Sequence, residues 1–407
     1  MDDALVLCVG SWNVGNAELD AAQLESWLPP EAEYDVVCVA LQEAAIHTDD
    51  YVAAEAGAFC TLTVVAVANF IFLIILAQVV LLVWEFTVSP STVEIRDRPA
   101  FFIVHIAVIA ATVLLIGGWV WLLRKQAWLV RRKRAAARAA AEAMSAVGAL
   151  RRHLSPCFEF AAAASLDWGQ LRLAVFAGRD VAVEAVAHDV VRVGSPAGAN
   201  RDVGTGLIGN KGALCSRFDV HRGTRRVSLC VTGAHLPAHE GHARDRDVAL
   251  AAILDRVEAH LGKADVAVFC GDLNYRLDTP LDAAAVAEII AAGRAEDLAG
   301  CDELNRRCAE ACEFGGLEGW TLAPAAFDPT FKCLRGAVAG YDTKRKPGWC
   351  DRAFYRAKAG GGVEACDVVS ATSAPKVTTS DHKPVSLVLR LTLSPSPAGR
   401  DGARALL

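Results

Sequence analysis

Val266-Ala267-Val268-Phe269-Cys270-Gly271-Asp272-Leu273-Asn274-Tyr275-Arg276 is the stretch on which the reading of this chain turns. Five apolar, β-favouring residues predict a short buried strand, and a glycine, a carboxylate and an amide follow at its end. Asp272 and Asn274 are two apart, so both project to one side if the strand continues through them. The same pattern recurs outward in both directions. Apolar runs at 5–9, 36–41, 171–176, 227–232 and 385–391 predict further strands, and helices are expected over 244–261 and 281–292. Polar residues cluster just after these strands: Asn13, Gln42 with Glu43, His235, and Asp381 with His382. An α/β fold with its chemistry in loops at strand ends follows.

Composition adds a membrane element. The 407 residues are 53% hydrophobic and 22% charged, with a mean hydropathy of +0.30, which excludes a disordered chain and assigns part of it to lipid. Residues 60–84 and 100–123 carry no formal charge, and each is long enough to cross a hydrocarbon core of about 30 Å. Two transmembrane helices are therefore expected, joined by a short connection containing Pro90 and Pro99 and edged by Trp84, Trp119 and Trp121. Arg124, Lys125, Arg131, Arg132, Lys133, Arg134 and Arg138 follow the second span and predict a cytosolic flank, continued as a basic helical stalk to about residue 150. The net charge of −6 argues against a broadly basic nucleic-acid binder. The thirteen cysteines follow an acidic start, Met1-Asp2-Asp3, and are expected to be reduced. Cys301, Cys308 and Cys312 lack a C-x-x-C pair or a nearby histidine, so helix packing is the expectation there, not zinc.

Eight short segments occur in order around this core. They are Ser11-Trp12-Asn13-Val14-Gly15, Leu41-Gln42-Glu43, Gly209-Asn210-Lys211-Gly212, Ala234-His235-Leu236-Pro237-Ala238-His239, Gly271-Asp272-Leu273-Asn274-Tyr275-Arg276, Pro329-Thr330-Phe331-Lys332, Pro347-Gly348-Trp349-Cys350-Asp351-Arg352 and Ser380-Asp381-His382-Lys383-Pro384. The series resembles the signature of the inositol polyphosphate 5-phosphatases and covers the whole catalytic portion. The resemblance implies that family's α/β architecture, a four-layer sandwich of two β-sheets packed face to face with helices outside, as in deoxyribonuclease I. The hairpin interrupts the series after Glu43 and reads as an insertion. The expected organisation is a first part of the phosphatase domain at 1–50, the inserted hairpin and stalk at 51–153, the remainder of the domain at 154–393 and a disordered tail at 394–407.

The resemblance also implies roles. Glu43 and Asn13 would hold the metal, an oxygen donor set suited to magnesium. Asp272 would orient and deprotonate the attacking water, Asn274 would hold the phosphate or that water, and His235 and His382, with Asp381 beside the latter, would stabilise the phosphoryl oxygens. Lys211, Asn210, Arg276, Lys332, Lys344, Arg345 and Arg352 are the candidates for binding the substrate's other phosphates. Ala234 stands where the family usually has Ser or Thr, which is expected to loosen a hydrogen bond behind His235. The activity implied is magnesium-dependent removal of the 5-phosphate from phosphoinositide lipids by an integral membrane enzyme with its catalytic domain in the cytosol. The alternatives are a phosphodiesterase or nuclease of the same fold and a catalytically silent phosphoinositide-binding scaffold; no nucleic-acid partner is expected.

Overall fold

The computed structural model describes residues 4–17, 19, 21–30, 33–44, 79, 110, 121, 146–193, 211–309, 317–358 and 360–394. The chain divides into two compact units, one of residues 1–46 with 144–407 and one of 47–143. The spans expected at 60–84 and 100–123 lie outside the described residues, apart from three isolated positions, as does the tail after Ser394. Among the described residues no helix is long and apolar enough to cross a membrane. The expected stalk ends earlier than residue 153, because 146–154 form a helix that buries Leu150 and Leu154 in the larger unit.

In chain order the elements are β1 (Ala4–Asn13), α1 (Ala21–Trp27), β2 (Val36–Gln42), α2 (Ala146–Leu154), β3 (Phe158–Phe160), β4 (Leu166–Trp168), β5 (Leu171–Gly178), β6 (Ala182–Arg192), β7 (Gly212–Arg222), β8 (Arg225–His235), α3 (Ala243–Leu261), β9 (Val266–Asp272), α4 (Ala283–Ala291), α5 (Glu303–Ala309), β10 (Thr321–Leu322), β11 (Asp351–Ala357), β12 (Val363–Ser373) and β13 (Val385–Leu393). One mixed sheet runs β12-β13-β1-β2-β5-β3, with β4 also on β5; the other runs β10-β11-β9-β8-β7-β6.

Strand alternation sorts the side chains into layers. Leu5, Leu7 and Val9 of β1 and Val36, Cys38 and Ala40 of β2 share the central core with Leu229 and Val231 of β8 and Val266, Val268 and Cys270 of β9. The alternate residues Cys8, Trp12, Val37, Val39 and Leu41 meet α1 and α2, while Cys230, Ala234, Ala267 and Phe269 meet α3. These strands are buried on both faces, hence their nearly unbroken apolar runs. Helix α3 answers with Leu250, Ile253, Leu254, Val257 and Leu261 on one face, each such side chain contributing about 1.5–3 kcal/mol when fully buried. The result is a layered α/β/β/α arrangement of two packed sheets with outer helices. Cysteines among the described residues are unpaired, and Cys301 and Cys308 pack against apolar clusters as expected.

Two parallel pairings decide where the polar strand ends meet. β1 lies parallel to β2 with Asn13 opposite Gln42, and β8 lies parallel to β9 with His235 opposite Asp272. Antiparallel β11 adds Asp351 opposite the same Asp272. The sheets approach closely beneath this end: a Cβ at Gly233 would sit 2.6 Å from that of Ala40. Gly271 is the tighter constraint, with φ +150° and a Cβ position 1.9 Å from the Ala234 carbonyl oxygen. Gly271→Ala should therefore lower the unfolding free energy by about 3 kcal/mol or more. Gly223→Ala, left-handed but in open space, should cost about 1–2 kcal/mol. Urea denaturation of both variants checks the difference; equal costs would remove the close-approach argument.

Candidate active site

Asp272 ends β9 with its side chain 2% exposed, and a buried carboxylate persists as an anion only if donors surround it. Asn13 Nδ2 donates to its Oδ2 at 2.9 Å, and the backbone N–H of Asn274 donates to its Oδ1 at 3.1 Å. His235 Nε2 lies 3.2 Å and His382 Nε2 3.8 Å from Oδ2. Burial alone would raise its pKa, but the charge of His382, the hydrogen bond with His235 and the charge of Lys211 outweigh it and hold the carboxyl well below the usual range.

His382 sits in the loop before β13, 5% exposed. Its Nδ1 hydrogen-bonds Asp351 Oδ2 at 2.8 Å, and the same oxygen accepts from Thr330 Oγ1 at 2.6 Å. The ring packs on Phe331, whose other neighbour is the Arg276 guanidinium. Burial opposes charge on both partners. For His382 the carboxylates of Asp351 and Asp272 prevail and hold its pKa up to about 9; for Asp351 burial prevails and raises its carboxyl above the usual range. His235 is the contrast: burial first and the Lys211 charge second lower its pKa, so it is neutral at pH 7. Lys211 reaches His235 Nε2, and burial brings its own pKa down to about 8.

Glu43 marks the open side. Its backbone is left-handed (φ +49°), and its side chain is 37% exposed, with Oε1 3.9 Å from His235 Nε2. Asn13 Oδ1 accepts from Gly15 N–H at 3.0 Å and keeps a second lone pair. Gln42 Oε1 is buried without a hydrogen-bond partner among the described residues. These are hard oxygen donors with no thiol among them, which fits a divalent cation such as magnesium or calcium. Asp272, Asp351 and His382 also bring ligand atoms within 4.8 Å of one another. There His382 Nδ1 is engaged by its 2.8 Å hydrogen bond with Asp351 Oδ2, while Nε2 faces Asp272.

Several expected positions change. β9 stops at Asp272, so the alternation argument for Asn274 fails; its φ of +58° turns the chain, and Nδ2 donates to Leu236 O at 3.1 Å. Asp381 does not orient His382. Neighbouring residues point apart, and Asp381 instead meets Arg335 at 2.8 Å and Lys332 at 3.9 Å. The partner of His382 is Asp351, which sequence reading missed although it stood in the Trp349-Cys350-Asp351-Arg352 segment. Arg352 turns into the protein, with Nη1 on Asp302 at 3.2 Å and Nη2 on Asn305 at 2.9 Å. Arg276 steadies Asn274 through Nε on its carbonyl at 3.0 Å, a positioning contact. Lys211 lies against His235, deeper than the rim. Lys332 stays at the rim between Asp342 (3.5 Å) and Asp381, Lys344 and Arg345 are exposed there, and Asn210 lies outside the described residues. Ala234 packs towards α3, so a hydroxyl there would face away from the His235 ring and the expected loosening does not follow.

Comparison with known proteins bears on the family and the fold. The family model described as Endonuclease/Exonuclease/phosphatase family 2 matches residues 136–388, more than half of the chain. Mouse type II inositol 1,4,5-trisphosphate 5-phosphatase is 32% identical over 202 residues, 46% of this chain and 19% of that protein. Rat synaptojanin-1 is 30% identical over 182 residues, 43% of this chain and 10% of that protein. The chain thus spans a fifth or less of the length of these relatives. The solved inositol polyphosphate 5-phosphatase domain of SPsynaptojanin, in complex with inositol (1,4)-bisphosphate and calcium ion, superposes with a TM-score of 0.57 at 20% identity, covering 99% of this chain and 88% of that one. A Cimex nitrophorin superposes at 0.52 with 15% identity, covering 97% and 100%. At these identities the structural likeness speaks for the fold.

The charge on His382 gives a measurable signature. Its folded pKa of about 9 stands above the ordinary 6.5, so the stability it contributes is complete below about pH 6.5 and is lost as pH rises through about 9. In Asp351→Asn the imidazole should titrate at lower pH, and that part of the pH dependence of unfolding should shrink. NMR titration of the ring checks this; an unchanged midpoint would assign the charge to another source.

Proposed function

Because the chain belongs to the endonuclease/exonuclease/phosphatase family 2, we propose that it is a metal-dependent phosphatase that hydrolyses the 5-phosphate of phosphoinositide lipids, phosphatidylinositol 4,5-bisphosphate or 3,4,5-trisphosphate, at the cytosolic membrane face. The observation that carries the reading is the convergence of a buried anionic carboxylate, a charged imidazole and a neutral imidazole within 4 Å of one oxygen, Asp272 Oδ2. Phosphoryl transfer needs an oriented nucleophile and positive charge at the equatorial oxygens. Asp272 orients the attacking water and takes its proton, and Asn13 and Asn274 keep the carboxylate aimed. His382, held cationic by Asp351, stabilises the charge that builds on the phosphoryl group, with Lys211 adding a second positive charge beside His235. Glu43 and Asn13 would hold magnesium, which when bound neutralises phosphate charge and assists the leaving oxygen.

Lys332, Lys344 and Arg345 at the rim supply cations for neighbouring ring phosphates, each of which carries about −1.5 to −2 at neutral pH. The apolar segments at 60–84 and 100–123 would keep the enzyme beside a substrate confined to the same surface, raising its effective concentration. The relatives' names point to the same class, inositol phosphates bearing a 5-phosphate.

Phosphate release from vesicles containing phosphatidylinositol 4,5-bisphosphate should require a divalent cation and yield the 4-phosphate lipid. Asp272→Asn should reduce turnover by about 10³-fold and Asp351→Asn by about 10²-fold. Turnover that survives both changes, or cleavage of the phosphodiester link to the lipid in place of the 5-phosphate, would refute the assignment.

A further inference from the structure

Between Phe331 and Lys346 the chain carries five basic residues and one acidic residue, against a net charge of −6 for the whole protein. The middle of this stretch is apolar at its tip: Leu334 is 44% exposed and Val338 56%, with Ala339 beside them. Exposed aliphatics on a wandering loop would mean little, but this loop is pinned. Cys333 bridges Tyr341 at its base, Leu334 N–H donates to Gly340 O at 3.0 Å, and Gly336 N–H donates to Thr378 O at 2.7 Å. Lys383 Nζ holds the Ala337 carbonyl at 2.9 Å, and Tyr341 OH donates to Pro329 O at 2.8 Å. The fold therefore holds two aliphatic side chains in water when it could have turned them inward.

The loop is also fastened to the catalytic centre. Phe331, at its entry, packs on His382. Arg335 contacts Gly15 O at 3.2 Å and Asp381 Oδ1 at 2.8 Å, and Gly15 in turn donates to the Asn13 amide. Lys344 and Arg345, both exposed, follow immediately after the apolar tip. An apolar tip rimmed by cations fits an anionic bilayer surface: aliphatic groups enter the acyl boundary while Lys and Arg meet the headgroups.

We propose that the 333–341 loop is a membrane-docking element which inserts Leu334 and Val338 into an anionic leaflet and so presents the catalytic centre to substrate in that leaflet. This rests on the lipid-phosphatase reading, and the test separates the two. In the full-length chain, Val338→Trp adds a reporter whose fluorescence, taken as the excess over wild type, is measured with vesicles of phosphatidylcholine and phosphatidylserine carrying brominated acyl chains. Quenching of that excess, weaker without phosphatidylserine, is the expected result. No excess quenching overturns the proposal, and so does equal quenching on neutral vesicles. The pair Leu334→Ser with Val338→Ser should reduce turnover of vesicle-borne substrate about tenfold, leaving turnover of a soluble inositol polyphosphate unchanged. A parallel loss on both substrates, or loss of a self-associated state with no quenching, would likewise overturn it. If wild type acts on neither substrate, the phosphatase reading fails while the quenching result stands or falls by itself.

Discussion

The buried hydrogen bond between His382 Nδ1 and Asp351 Oδ2, 2.8 Å long, is the constraint around which the site is organised. Burying opposite charges is costly, and it is tolerated only when geometry and neighbouring donors are good. Both partners have further contacts, although Asp351 Oδ1 is buried without a hydrogen-bond partner among the described residues. Thr330 donates to the Asp351 carboxylate, Ser380 Oγ accepts from the His382 backbone N–H and donates to Asn13 O, and Trp12 Nε1 donates to the His382 carbonyl. These contacts join the first strand of the chain to its last loop, 370 residues apart. Removing one charge would leave the other unpaired in a dry site, so the pair fixes the loop before β13 as firmly as any apolar contact does.

The two sheets contribute unlike halves to this centre. β1 and β2 bring the amide of Asn13 and the carboxylate of Glu43, both neutral or anionic oxygen donors. β8, β9 and β11 bring His235, Asp272 and Asp351. The halves meet because Gly233 lets β8 approach Ala40 of β2 and because Gly271 lets β9 lie against Ala234. Asn13 spans the join, with its Nδ2 on Asp272 and its Oδ1 on the turn at Gly15. Chemistry on a phosphate needs acceptors for a cation and donors for oxygens at one place, and a sandwich with parallel pairs in both sheets can bring both to the same end.

How much of this was readable beforehand depended on range. The strands β1, β2, β5, β8, β9 and β13 and the helices α3 and α4 declared themselves, because strands buried on both faces write themselves as unbroken apolar runs. β6 and β12 were not legible: their exposed faces interrupt the run, and β11 begins with charged residues. At the site, the strand-end residues were legible by position, but their partnerships were not. Asp381 stands next to His382 in sequence, but adjacent side chains diverge, and the hydrogen-bond partner of His382 comes from 31 residues away. Arg352 looked like a ligand for phosphate because it is cationic, and only packing reveals that Asp302 and Asn305 consume it. Lys211 erred in the other direction, lying deeper than a rim residue should.

The two histidines make the remaining point about division of labour. Both imidazoles are buried beside Asp272, and burial penalises charge on each equally in kind. What separates them is the second neighbour. His382 has Asp351 behind it, so the positive form survives; His235 has Lys211 before it, so a second positive charge is refused and the ring stays neutral. The centre therefore combines one imidazolium, one imidazole and one ammonium with the carboxylates of Asp272 and Asp351, and Glu43 adds a third carboxylate at its open side. A dianionic phosphate entering from the Glu43 side would meet those two cations where Asp272 can also steer a water, which would confine the proposed reaction to one place on the molecule.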